Sequence, residues 1–85
     1  MFSIKLSNKA VRSLRALPDD YKETIKLMLK GLQEMPLPRG SKQLKGRPDC
    51  YRVRVGPFRI QYHLVKDDKA IFVYKISKRG SAYGR

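Results

Sequence analysis

The chain of 85 residues reads as an α+β domain of order β-α-α-β-β-β, a class predicted by three features. Phe2, Ile4 and Leu6 alternate with Ser3 and Lys5, which marks a short strand with one apolar face. Two apolar stripes at helical spacing follow, and then three strand-like runs. Two helical stripes need an apolar sheet face to cover them, so the pair is expected on one side of a four-stranded, mainly antiparallel sheet. A chain of this length holds one domain, residues 1–85. It buries only about 60–65% of the surface exposed by its unfolded state, so the core needs most of the available apolar side chains.

Each element has its own signals. Ser7 is placed to cap a helix over Asn8 to Leu17, in which Val11, Leu14 and Leu17 share a stripe, Lys9, Arg12 and Arg15 point outward, and Pro18 ends the segment. Asp19 and Asp20 open a longer helix, where acids suit the positive end of the helix dipole. Tyr21, Ile25, Met28, Leu32 and Met35 follow four-and-three spacing along it, and Pro36 stops it. Residues 36–50 are rich in Pro, Gly and bases and read as a loop anchored by Leu44. Strands are expected at about 51–56, 58–65 and 70–77, with Asp67 and Asp68 in the last turn. There is no internal repeat and no low-complexity segment.

Charge carries the functional signal. Twenty Lys and Arg against seven Asp and Glu give +13, an excess suited to nucleic acid or an acidic partner. Between residues 39 and 59, Arg39, Lys42, Lys45, Arg47, Arg52, Arg54 and Arg59 face only Asp49, and the end of the chain adds Lys75, Lys78, Arg79 and Arg85 with no acid. With Gly56 and Pro57 as the connection of a hairpin, Val55 opposes Phe58, Arg54 opposes Arg59, Val53 opposes Ile60 and Arg52 opposes Gln61. One face is then apolar and the other cationic. Like charges directly opposed weaken a sheet unless an anion relieves them. Alternating arginines can also be the wet face of a half-buried sheet. Three arginines beside a basic C-terminus favour a site for polyanion.

Other chemistries are excluded. Cys50 is the single cysteine, which rules out an internal disulfide and a multi-cysteine metal site, suits a reduced cytoplasmic compartment, and is expected as a small buried filler. No window has the length of a membrane span, and the first residues lack a signal peptide's apolar region. His63 is the single histidine; alternation puts it on the arginine face, but it is not assigned to the catalytic set. The acids occupy a helix start and a turn, so metal-dependent hydrolysis is not expected. Gly-Arg-Pro and Lys-Arg-Gly-Ser lack the spacing of a phosphate-binding loop, and no cofactor is implied. What remains is an arginine-rich surface with tyrosines, able to bind nucleic acid or to stabilise charge on a phosphate under attack. RNA brings its own nucleophile, the 2′-hydroxyl. A protein must then orient the strand, stabilise charge and help to move two protons, and arginine does the first two well but is a poor proton acceptor.

The run Leu44-Lys-Gly-Arg-Pro-Asp-Cys-Tyr-Arg-Val-Arg-Val-Gly-Pro-Phe-Arg-Ile-Gln-Tyr62, followed by Ile76-Ser-Lys-Arg-Gly-Ser-Ala-Tyr83, resembles the RelE toxins of the RelE/ParE superfamily. The resemblance covers nearly the whole chain. It implies a ribosome-dependent endoribonuclease that enters the ribosomal A site, cuts the exposed mRNA, and is silenced by a cognate antitoxin with an acidic segment. By position it implies a catalytic set of Arg52, Arg54, Arg59, Arg79 and Tyr83, with Lys42, Lys45, Arg47 and Lys78 as further cations for RNA and ribosome. Positions 52 and 54 are lysines in the best-known members. Arginine there clamps phosphate but holds its proton, which leaves Lys45, Lys78, Tyr83 or a ribosomal group as the proton acceptor. Two other readings use the same basic face: a ParE-like gyrase inhibitor that cuts nothing, and a non-catalytic module that binds RNA or the ribosome.

Overall fold

Local chemistry sets the helix ends in the computed structural model, which describes residues 1–78. After β1 (Ser3–Leu6), Ser7 caps α1 (Asn8–Arg15): its Oγ accepts from the Ala10 amide at 3.0 Å and donates to the Tyr74 carbonyl at 3.3 Å. Pro18 precedes α2 (Asp19–Glu34) and contributes no side-chain cap, while Asp19 and Asp20 sit in the first turn where the helix dipole favours anions. The face that α2 buries is Ile25, Leu29 and Leu32. Tyr21 and Met35, expected on that face, are 41% and 59% exposed. The helical repeat of about 3.6 residues drifts off the assumed stripe at both ends and brings Leu29 in. Tyr21 still meets Phe58 edge-on, with ring centroids 4.9 Å apart.

The remaining strands are β2 (Lys42–Gln43), β3 (Cys50–Val55), β4 (Phe58–Val65) and β5 (Ala70–Lys78). They form a five-stranded sheet in the order β1-β5-β4-β3-β2. Among the described residues only the β1–β5 pair is parallel. The sheet has one strand more than the four expected, because Lys42–Gln43 is too short to show alternation and lies among Pro and Gly residues. Both helices cover one face. Ala10, Ile25, Leu29 and Leu32 pack there against the alternate residues Val53, Val55, Phe58, Ile60, Tyr62, Leu64, Ile71, Val73 and Ile76. Tyr62 is fully buried and donates its hydroxyl to the Pro36 carbonyl at 2.7 Å, pinning the chain after α2 to the sheet. Burial pushes that hydroxyl's pKa up to about 12, and the Ser41 side chain opposes the rise.

The segment Leu44-Lys-Gly-Arg-Pro-Asp-Cys50 is built as two successive turns that share Arg47. The first closes from the Arg47 amide to the Leu44 carbonyl at 3.2 Å, and the second from the Cys50 amide to the Arg47 carbonyl at 3.1 Å. Their third residues, Gly46 and Asp49, have φ of 76° and 72°, the left-handed backbone that a type II turn requires there. Pro48 presets the second position of the second turn. The Leu44 amide then donates to the Cys50 carbonyl and the Leu64 amide to the Asp49 carbonyl, both at 2.8 Å. This chemistry fixes where the basic loop stands at the entry to β3.

Candidate nucleic-acid interface

The uncovered face of the sheet carries the arginines. Gly56 has φ of 58° and Pro57 a ring-fixed negative φ, a pair suited to the type II′ turn whose twist matches a hairpin. The register is the one that strand alternation predicts: Val55 opposes Phe58, Arg54 opposes Arg59, Val53 opposes Ile60 and Arg52 opposes Gln61. Pairing continues on both sides, Arg52 with Lys42 in β2, Arg59 with Ser77 and Gln61 with Lys75 in β5. Register partners share a face, so two rows cross the sheet, Arg54–Arg59–Ser77 and Lys42–Arg52–Gln61–Lys75. At a strand spacing of about 4.8 Å the second row spans about 14 Å.

Lys75 joins this surface although strict alternation from Ile71 and Val73 would turn it into the core. A register skip at Gln61/Tyr62 leaves Tyr74 without a partner, after which Ile76 points inward and Lys75 and Ser77 outward. The broken spacing of buried residues, Ile71, Val73 and then Ile76, was the available sequence signal.

Among the described residues no carboxylate lies within salt-bridge distance of Arg52, Arg54 or Arg59. Arg54 is exposed, whereas Arg52 and Arg59 are half-buried. The Arg59 Nε is shielded from solvent and has no hydrogen-bond partner among the described residues. An N–H in that state is costly and is relieved by an arriving acceptor. The far end of the face differs. His63 is exposed and lines a depression together with Asp49, Lys66 and Asp67, so the charge there is mixed.

Cys50 corrects an expectation. It is half-buried on the open face and not a core filler, because it has the same strand parity as Arg52 and Arg54 and stands opposite His63. Lys42, Lys45 and Arg47 are exposed along the β2 side of the arginines. Lys78 stands apart from these three: opposite Phe58, it lines a groove of about 490 Å³ along the end of β5 with Leu17, Pro18 and Tyr21, which Lys75 and Ser77 also border. Arg79 and Tyr83 lie outside the described residues. Among the described residues no three His, Cys, Asp or Glu side chains converge on a metal position, and no helix is long and apolar enough to cross a membrane.

Two helices lie on one face of this sheet, with an arginine hairpin on the other that no carboxylate neutralises among the described residues, and the chain so folded is of a class of toxins. The profile of the ParE toxin of the type II toxin–antitoxin system parDE matches residues 4–83, and the chain belongs to that family. Within it, the protein is a RelE-type toxin of a toxin–antitoxin system. It is 35% identical over 85 residues to a Methanocaldococcus jannaschii protein named as toxin RelE1, covering 96% of this chain and 94% of that one. It is 26% identical over 80 residues to the mRNA interferase toxin RelE of Escherichia coli K12, covering 92% and 83%. The crystal structure of the archaeal RelE–RelB complex from Pyrococcus horikoshii OT3 superposes with a TM-score of 0.84 at 28% identity, covering 93% and 96%.

Proposed function

We propose that this toxin is a metal-independent endoribonuclease that cuts mRNA held in the ribosomal A site. The observation that carries the reading is the Arg54–Arg59 pair, two opposed cations without a carboxylate partner among the described residues, one with a shielded and unused N–H. Such a pair is self-repelling when empty and becomes favourable when a phosphate lies across it. In the reaction, the RNA 2′-oxygen attacks the adjacent phosphorus and the bond from phosphorus to the 5′-oxygen breaks. A 2′,3′-cyclic phosphate and a 5′-hydroxyl result. The 2′-hydroxyl loses a proton to an acceptor and the leaving 5′-oxygen gains one. Arg52, Arg54 and Arg59 hold the phosphate and stabilise the added negative charge, and Arg79 and Tyr83 complete the set. The arginines keep their protons, so the acceptor is Lys45, Lys78, Tyr83 or a ribosomal group. The interferase name of the E. coli relative supports this chemistry.

A net charge of +13 and the RelB-bound state of the P. horikoshii relative support an antitoxin partner with an acidic segment. That segment covers the arginines or displaces the end of the chain. End-group analysis of mRNA translated in the presence of purified toxin tests the chemistry. Cyclic or 3′-phosphate ends paired with 5′-hydroxyls are expected. Intact mRNA together with inhibited DNA supercoiling would replace this reading with the gyrase one.

A further inference from the structure

The bulge in β5 re-aims Tyr74 as well as Lys75. Gln61 is in register with Lys75 and Tyr62 with Val73, so Tyr74 is the extra residue. Bulges re-aim side chains and recur beside functional sites. Val73 and Ile76 are buried in the core, and Tyr74 is turned to the open face between them. Its backbone is braced from behind by the Ser7 hydroxyl, which donates to the Tyr74 carbonyl at 3.3 Å. From β5 the side chain reaches across β4 to the entry of β3, where Cys50 and Arg47 are its polar neighbours. There its Oη is shielded from solvent, with the Arg47 guanidinium and the Cys50 thiol close enough to interact with it but neither in good hydrogen-bond geometry. Burial, with the Cys50 thiol adding to it, raises the hydroxyl's pKa against the pull of Arg47, so the phenol keeps its proton. Tyr74 therefore presents a shielded hydroxyl beside a guanidinium on the open face.

We propose that the Tyr74 hydroxyl and the Arg47 guanidinium form a second phosphate-binding position, which holds an RNA phosphate neighbouring the one gripped by Arg52, Arg54 and Arg59. This rests on the reading of the open face as an RNA site. Arg47 is exposed and stands at the joint of the two turns, so it can swing aside, admit an anion to the O–H and cover it again. Cys50, which marks the position, is two residues along β3 from Arg52, about 7 Å. RNA is favoured over an acidic peptide because the position continues the arginine rows on the same sheet face.

Tyr74→Phe, Arg47→Ala and the double variant are titrated with a short single-stranded RNA of mixed sequence by fluorescence anisotropy over a salt series, with thermal melts alongside. Tyr74→Phe should weaken binding about three- to tenfold with Tm and salt dependence unchanged, since a neutral donor is lost. Arg47→Ala should weaken it more and reduce the salt slope by about 0.7, the value for one phosphate contact on a single strand. The double variant should match Arg47→Ala within a factor of about two, because both groups act on one phosphate. Wild-type affinity in Tyr74→Phe, independent and multiplying effects, or no RNA binding by the wild-type protein would overturn the proposal. So would normal RNA binding by Tyr74→Phe with weakened antitoxin binding, which would assign the position to a protein partner. No ribosome or cleavage enters this assay. Coupled binding in a protein that leaves translated mRNA intact would overturn the nuclease reading alone, and normal cleavage with uncoupled binding would overturn this position alone.

Discussion

Replacing Arg59 by alanine should separate activity from stability. Arg59 lies on the central strand with Arg54 directly across from it, so the substitution removes a like-charge pair worth about 0.2–1 kcal/mol of destabilisation. It also removes a shielded, unpartnered Nε, a burden of about 1–3 kcal/mol. Against this stands the loss of two methylenes at about 0.8 kcal/mol each when fully buried, and about half of that for a half-buried side chain. The net change runs from about zero to about 3 kcal/mol in favour of the variant. For a domain of this size Tm should hold or rise, since about 1 kcal/mol corresponds to roughly 4–8 °C. Cleavage should fall about 10²–10³-fold, the usual loss for one group aimed at transition-state charge. Single-turnover cleavage on stalled ribosomes and calorimetric melts of the same preparation give both numbers. A variant that melts well below wild type, or that cuts at a near-normal rate, would mean that Arg59 serves the fold and not the phosphate.

Two further outcomes follow from single tyrosines. The Tyr62 hydroxyl titrates near 10.0 when unfolded and at about 12 in the fold, so its contribution is complete below pH 10 and lost as pH rises from 10 to 12, about 2–3 kcal/mol in all. Tyr62→Phe should be about 1 kcal/mol less stable near neutrality, having lost the bond to the Pro36 carbonyl, with the gap closing above pH 10 and reversing as pH approaches 12, where only the wild type has a tyrosine to ionise at this position. Urea unfolding of both proteins between pH 8 and 12 checks this, and a constant gap would refute it. Tyr83→Ala should lose far more cleavage than Tyr83→Phe, because a ring stacked on a base survives in Phe and a hydroxyl does not. Equal losses under single-turnover conditions would assign the hydroxyl to proton transfer.

Legibility followed the strength of local constraints. The hairpin was readable residue by residue, because Val53, Val55, Phe58 and Ile60 alternate with arginines about a connection that Gly56 and Pro57 support. Ser7 as a cap was equally plain. Lys42–Gln43 was not, since two residues carry no period and pair only because the 44–50 turns fold them back onto β3. Alternation also failed at Tyr74. A bulge is an event of the pair β4–β5, invisible in one strand, and it decided the side taken by Lys75 and hid the Tyr74 hydroxyl from sequence reading. For Cys50 two signals conflict: its residue type suggests burial, whereas its strand parity puts it with the arginines, and parity decides.

Primer extension on one message, incubated with purified toxin either as naked RNA or while engaged by ribosomes, addresses the proposed activity itself. The arginine face can stabilise charge but is too sparse to orient a free strand for in-line attack, so stops should appear within the translated region only when ribosomes hold the message. Equal cleavage of naked RNA, or no cleavage in either lane by toxin freed of its antitoxin, would contradict the account.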